Sequence, residues 1–276
     1  MSTVHPDSER AAGGLHVGII MDGNGRWATT RGRSRYYGYP AGAKAVRRVV
    51  RAAPDLGIRT LTLYAFSADN WRRPEREVQL MFRLFERYLR REKTECIDNG
   101  VRLEVIGRRD RLSTPLLQAI DDTETATRAG AKLLLRLAVD YSARQAILDA
   151  ARRYVAATTL GNSVPNASTI ESLWLSDERI EEFGRVVGDQ RARAAGVGEV
   201  DLVIRTGGEQ RLSDFLLWEA AYAELYFTEV MWPDFDRAVL AEALTAFAAR
   251  DRRFGRVTAP ADVAGAEILT AATTRQ

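Results

Sequence analysis

Short, largely apolar runs that stop at a polar residue or a glycine alternate with longer stretches of helical spacing along most of this chain, and few folds accept that order. Val17 to Met21, Thr60 to Phe66, Val101 to Gly107, Leu133 to Val139 and Asp201 to Arg205 read as strands, with a short sixth at Leu225 to Phe227. Val17 to Met21 carries no polar side chain, so it reads as a strand covered on both faces. Helical patterns fall between them at Ala41 to Ala53, Pro74 to Asp98, Thr114 to Ala129, Ala143 to Ala157 and Leu212 to Tyr222. The alternation predicts an α/β fold with a mostly parallel central sheet of about six strands, flanked by helices. On the longest helix, Val78, Met81, Phe82, Phe85, Tyr88, Leu89 and Cys96 recur at helical spacing. That stripe suits a core or the wall of an apolar channel equally well.

The chain has 276 residues, enough for a single domain, and no repeat divides it. Residues 1–15 are polar, lack the apolar core of a signal peptide and read as a disordered lead-in. The domain is expected to span residues 16–257. Within it, residues 160–198 are rich in Gly, Ser, Asn, Arg and Ala, with a weak helical pattern from Ile170 to Val187, and read as a variable surface insertion. Residues 258–276 read as a flexible tail.

Composition removes several kinds of chemistry. The formal net charge is +3, so the chain is no polycation and nucleic acid is not an expected partner. Cys96 is the single cysteine, which rules out an intramolecular disulfide and suits the cytoplasm. No run reaches the roughly 20 apolar residues of a membrane-spanning helix. The two histidines are His5, in the lead-in, and His16, at the start of a strand. A Ser-His-Asp triad or a histidine-rich zinc site is therefore not expected. Carboxylates, amides, hydroxyls, arginines and a hard cation remain.

Those residue types gather at strand ends, where open parallel sheets bind ligands. Asp22-Gly-Asn-Gly-Arg-Trp27 follows the first strand and leads to Arg31, Arg33 and Arg35. Ser67-Ala-Asp-Asn-Trp-Arg-Arg-Pro74 follows the second. Arg205-Thr-Gly-Gly-Glu-Gln-Arg-Leu-Ser213 follows the Asp201 strand, and Glu224 accompanies the last one. Gly23, Gly25, Gly207 and Gly208 allow close backbone approach, and guanidinium forks match phosphate oxygens. Arg26, Arg35, Arg73, Arg205 and Arg211 are numerous enough to serve two diphosphates, while Asp22 offers an oxygen ligand to Mg2+. Gly23 to Ala28 also fits the dinucleotide pattern G-x-G-x-x-A, but no apolar helix follows and the acid about 20 residues further on is missing. No G-x-x-x-x-G-K-[ST] phosphate loop exists. A bare turn at Asp22 to Gly25 would leave the other clusters unexplained.

Read in order, these blocks resemble the cis-prenyltransferase, or undecaprenyl diphosphate synthase, family. The resemblance runs from about His16 to Gly255. It rests on His16 to Trp27, Leu61 to Ser67 with Asn70, Trp71, Arg73 and Pro74, Asp201 to Glu209, Phe215 to Trp218, Tyr222 to Phe227, Trp232 to Phe235 and Arg252 to Gly255. It implies a homodimer whose parallel sheet encloses a hydrophobic tunnel. An allylic diphosphate primer such as farnesyl diphosphate would sit at the tunnel mouth with isopentenyl diphosphate beside it. Mg2+ would assist departure of the primer's diphosphate, and each new double bond would be cis.

Residue by residue, the resemblance implies that Asp22 is the catalytic acid that positions Mg2+, with Glu224 as a second metal ligand. Gly23, Asn24, Gly25 and Arg26 would cradle the primer diphosphate, with Trp27, Arg35 and Tyr39 adjoining. Ser67, Ala68 and Asp69 match a substrate-contacting turn, and Asn70 matches the residue assigned to proton removal, flanked by Trp71 and Arg73. Arg205, Arg211, Leu212 and Ser213 match the isopentenyl diphosphate site. Four features depart from the family pattern: Tyr39 where histidine is usual, Asp140-Tyr-Ser-Ala-Arg144 in place of Asn-Tyr-Gly-Gly-Arg, Asp214 in place of Asn, and a longer 160–198 region. The expected product is undecaprenyl diphosphate, the cell-wall lipid carrier, released to the membrane with peripheral contact. A shorter-chain cis-prenyl diphosphate is the alternative. A non-catalytic partner subunit would be expected to lack Asp22 and the arginines.

Overall fold

In the computed structural model, which describes residues 14–159 and 199–250, the first apolar run is strand β1, Leu15–Ile20, and all but its first residue are buried. The other strands are β2 (Ile58–Ser67), β3 (Val101–Ile106), β4 (Leu133–Tyr141), β5 (Leu202–Arg205) and β6 (Glu224–Phe227). They form one sheet in the order β3-β4-β2-β1-β5-β6, and every neighbouring pair is parallel. All nine residues of β4 are buried, Arg136 and Asp140 among them, as in a strand covered on both faces.

Alternation along the strands splits the core in two. Val17, Ile19, Leu61, Leu63, Leu202 and Ile204 face one apolar cluster, and Ile20 and Val203 belong to the other. The first cluster is completed by α2 (Gly38–Ala52), α3 (Glu75–Asp98), α4 (Thr114–Ala126) and α6 (Arg237–Ala248). The second is completed by Ala143, at the start of α5 (Ala143–Thr159), and by Phe215, Leu216 and Ala220.

Leu212 to Tyr222 is not the helix its spacing predicts but a run of turns and bends. Ser213, Asp214 and Leu216 have φ of 49°, 62° and 49°, a left-handed backbone that cannot continue a right-handed helix. Tertiary contacts hold it there. Ala143 donates its N–H to the Asp214 carbonyl at 3.1 Å, and the Asp214 carboxylate accepts the Arg144 N–H at 2.9 Å. Phe215 and Leu216 are fully buried against the sheet. Their apolar spacing therefore reports burial, not helix.

Other boundaries shift for local reasons. Helix α2 starts at Gly38 rather than Ala41, because Pro40 is compatible with a first turn. Helix α4 ends at Ala126, where Thr127 turns its hydroxyl to the Thr123 carbonyl and accepts the Leu103 N–H. Two helices were not expected: the short α1 (Asn24–Thr29), and α6, whose N-cap Asp236 accepts from Ala238 and Val239. Residues 1–13, 160–198 and 251–276, with all but the last two residues of the expected lead-in, the insertion, the tail and the Arg252–Gly255 block, lie outside the described residues, and Leu15, at the end of that lead-in, already opens β1.

One buried ring ties the helical layer to the site. Trp232 is 1 % exposed, donates its indole N–H to the Gly42 carbonyl at 2.9 Å and stacks on Phe235. Trp232→Ala is expected to cost about 3–5 kcal/mol, a fall of about 10 °C in a thermal melt.

Candidate functional site

Strands β1, β2 and β5 run side by side and parallel, so their C-terminal ends share one edge. The three predicted clusters converge there. Ile20 pairs with Arg205 and with Tyr64, which places Asp22, Arg205 and the turn after Ser67 around one cavity of about 560 Å3. Its walls include Asp22, Gly23, Asn24, Gly25, Arg26, Arg35, Tyr39, Ser67, Asp69, Asn70, Arg73, Arg205 and Ser213.

Asp22 is held at both its backbone and its side chain. Thr206 Oγ1 accepts the Asp22 N–H at 2.9 Å and donates to the Asp22 carbonyl at 2.8 Å, and the Trp232 N–H donates to the same carbonyl at 2.9 Å. Asp22 Oδ2 accepts from Arg205 Nη2 at 2.9 Å, Oδ1 accepts the Gly23 N–H at 2.6 Å, and Arg26 lies 3.7 Å from Oδ1. Gly23 caps α1 at φ 96°, a conformation glycine adopts without a Cβ penalty. Helix α1 then packs against α2 closely enough that a Cβ on Gly42 would meet Asn24 Oδ1 at 2.1 Å. That oxygen is buried and has no hydrogen-bond partner among the described residues.

The turn after β2 is a capping box. Asn70 Oδ1 accepts the Ser67 N–H at 3.1 Å, so this oxygen is already engaged. Ala68 lies in the same turn. Trp71 does not line the cavity; it packs edge-on against Phe66 and donates its indole N–H to Asp140 at 2.9 Å. Asp140, buried at φ 50°, also receives the Arg111 guanidinium, which lies over the Trp71 ring. The departure from asparagine at this position thus has a charged partner of its own.

At the β5 end, Arg205 is 4 % exposed and donates to Ser213 Oγ at 2.7 Å and to the Arg211 carbonyl at 2.5 Å. Arg211 and Leu212 are outside the cavity lining, and the exposed Arg211 side chain pairs with Glu209. Glu209 also lies 3.8 Å from Arg26. Trp27 turns away and donates its indole N–H to Asp234 at 2.7 Å, with Arg31 over its ring.

Glu224 is not brought to this edge. It opens β6 and pairs with Leu202, at the opposite end of the sheet from Arg205 and Asp22. Its carboxylate accepts from Arg250 Nη1 at 2.5 Å. Glu77 lay outside every predicted cluster, and Thr206 and Glu209 lay inside the third without a role of their own, yet each contacts a predicted site residue. For Glu77 a signal existed: it lies four residues after Arg73, within reach on a helical turn.

The polar cavity adjoins a second, apolar one of about 260 Å3, between the sheet and helices α2 and α3. Met21, Ala43, Val46, Ala65, Phe85 and Tyr88 line both. Deeper walls come from Val50, Leu89, Leu103, Leu135 and Leu137. Cys96 is there too, its thiol pushed up to about 11 by burial, so it is a neutral lining group. The α3 stripe is thus both core and cavity wall.

Among the described residues, no three His, Cys, Asp or Glu side chains cluster to hold a metal ion. One third-exposed carboxylate, Asp22, stands beside the Arg205 and Arg26 guanidinium groups and the Gly23 N–H. That donor set fits Mg2+, which keeps several waters and binds through one or two carboxylates plus phosphate oxygens.

A sheet edge rich in guanidinium groups that opens into a greasy cavity defines a protein that binds an amphiphilic phosphate. Comparison with known proteins gives the same class. A family model described as "Putative undecaprenyl diphosphate synthase" matches residues 20–255. Isoprenyl transferase 1 of Bradyrhizobium diazoefficiens is 56% identical over 241 residues, 87% of this chain and 89% of that one. The (2E,6E)-farnesyl-diphosphate-specific ditrans,polycis-undecaprenyl-diphosphate synthase of Escherichia coli is 44% identical over 257 residues, 92% of this chain and 96% of that one. The crystal structure of lavandulyl diphosphate synthase from Lavandula x intermedia, in complex with dimethylallyl diphosphate, superposes with a TM-score of 0.76 at 32% identity, covering 90% of this chain and 100% of that one. The chain belongs to the undecaprenyl diphosphate synthase family of prenyltransferases.

Proposed function

We propose that this protein condenses isopentenyl diphosphate, cycle after cycle, onto an allylic diphosphate primer such as farnesyl diphosphate, building a cis-polyprenyl diphosphate. The observation that carries this reading is the shared lining of the two cavities: diphosphate groups stay at the polar edge while the hydrocarbon enters the apolar side. Undecaprenyl diphosphate is the product we favour over a shorter one. The farnesyl-specific undecaprenyl synthase cited above is 44% identical to this chain, against 32% for the lavandulyl diphosphate synthase.

In this mechanism the backbone from Gly23 to Arg26, with Arg35 and Arg73, binds the primer diphosphate. Arg205 and Ser213 hold isopentenyl diphosphate alongside it. Asp22 would hold Mg2+, which supplies charge stabilisation to the departing diphosphate. The C1–O bond of the primer breaks, the terminal alkene carbon of isopentenyl diphosphate bonds to C1, and a proton leaves its C2. Phe66, Phe82 and Phe85 keep water from the allylic cation that develops. Asn70 orients the turn rather than taking the proton, since its oxygen already accepts the Ser67 N–H. A diphosphate oxygen is the acceptor we assign. The catalytic reading is favoured over a supporting-subunit role because Asp22, Arg26 and Arg205 converge on one cavity.

We also infer a homodimer, which light scattering would test. No helix among the described residues is long and apolar enough to cross a membrane, and we infer peripheral contact with lipid from the apolar product that must be released. The deciding experiment is incubation with farnesyl diphosphate, labelled isopentenyl diphosphate and Mg2+. Labelled, solvent-extractable product is expected, and none with any allylic primer would sink the reading. Mass spectrometry then gives the chain length. Ala65, at the junction of the cavities, offers a second check: Ala65→Leu should shorten the main product by several isoprene units, because added methylenes cannot be absorbed by a packed wall.

A further inference from the structure

Behind the primer end of the site lies a carboxylate that does not itself line the cavity. Glu77, in the first turn of α3, is 1 % exposed. One of its oxygens, Oε1, receives three donors: the Tyr39 hydroxyl at 2.5 Å, Arg73 Nη1 at 3.1 Å and Arg35 Nη2 at 3.4 Å. Arg73 Nη1 also donates to the Tyr39 hydroxyl at 3.2 Å. Arg35, Tyr39 and Arg73 all line the polar cavity. Burial, reinforced by the hydrogen bond to Glu77, raises the Tyr39 hydroxyl above its ordinary range, so it stays protonated and remains a donor at neutral pH.

A buried carboxylate beside an anion site needs a reason. By charge alone it would repel a diphosphate. Burying it is tolerable only because it is paired and hydrogen-bonded. Its gain is order: Arg35 and Arg73 have side chains 53% and 36% exposed, and unanchored they would have to be immobilised when the ligand binds. We propose that Glu77, with Tyr39 as its hydroxyl partner, is the positioning residue of the primer end, holding the Arg35 and Arg73 guanidinium groups in the geometry that a diphosphate requires. Tyr39 then works through Glu77 rather than as a charged phosphate ligand, which accounts for a phenol where the family pattern has histidine. The inference rests on the proposed function.

Repulsion and positioning predict opposite signs. Glu77→Gln keeps the shape and removes the charge. Calorimetric titration with farnesyl thiodiphosphate gives primer affinity without turnover, and steady-state assays give KM for each substrate. The expected result is primer affinity about tenfold weaker and primer KM about tenfold higher, with isopentenyl diphosphate KM within about twofold. Tyr39→Phe should weaken the primer by about threefold, and the double variant should be no worse than Glu77→Gln alone, since the two act as one unit. Unchanged or tighter primer binding in Glu77→Gln would overturn the proposal, as would both KM values rising together. If Glu77→Gln does not fold, Tyr39→Phe decides alone, and unchanged primer binding there overturns the proposal. Wild-type protein that makes no polyprenyl product defeats the functional reading itself. Active wild type with no primer-selective loss in the variants defeats only this inference.

Discussion

Asp22→Ala is expected to lower turnover by about a thousandfold or more while leaving the fold in place. The asymmetry follows from how Asp22 is held. Its backbone contacts to Thr206 and Trp232 do not involve the side chain and survive truncation. What disappears is the oxygen pair that faces the cavity and the partner of Arg205 Nη2. The loss therefore falls on charge stabilisation at the departing diphosphate, where a single missing group costs most. Single-turnover conversion of labelled isopentenyl diphosphate, alongside a thermal melt, separates the two effects. Retention of more than about a tenth of wild-type turnover would refute the assignment.

Arg205→Ala should damage both function and stability. This guanidinium is almost fully buried and donates to Asp22, Ser213 and the Arg211 carbonyl. Removing it strands three acceptors. Because Asp22 is one-third exposed, the expected cost is about 2–3 kcal/mol, below that of a fully buried pair. KM for isopentenyl diphosphate should rise by about a hundredfold, as a fork that also orders the 211–213 segment is lost. Arg205→Lys should regain stability more than affinity, because an ammonium keeps the charge and loses the bidentate geometry. A KM change confined to the primer would place Arg205 in the wrong half of the site.

Much of this arrangement was legible in the sequence, for identifiable reasons. The strands announced themselves because β1, β4 and β5 are buried on both faces, which makes their sequences mostly apolar, with His16, Arg136, Asp140 and Arg205 as buried exceptions. Parallel order then brought Asp22, the Ser67 turn and Arg205 to one edge without any knowledge of side-chain contacts. Glu224 was placed by resemblance and not by strand order: it begins a strand rather than ending one, so within this chain the parallel order carries it away from the edge that holds Asp22. The turns from Leu212 to Tyr222 were hidden because Phe215 and Leu216 are buried by the sheet, and spacing alone cannot tell that from a helix face. Glu77 was overlooked because its importance comes from Arg35 and Tyr39, about forty residues away in sequence and adjacent only after folding.

Met21 lines both cavities, and the next residue is Asp22. The wall that touches the hydrocarbon under the proposed chemistry and the acid at the reacting end are thus consecutive residues just past the C-terminal end of β1. Under the proposed chemistry every new unit is inserted at the diphosphate end, so the growing chain slides past a fixed origin. The protein then works as a ruler whose zero mark is Asp22 and whose scale is the depth of the α2–α3 cavity. A change deep in the cavity resets the length being measured, whereas a change beside Met21 moves the zero.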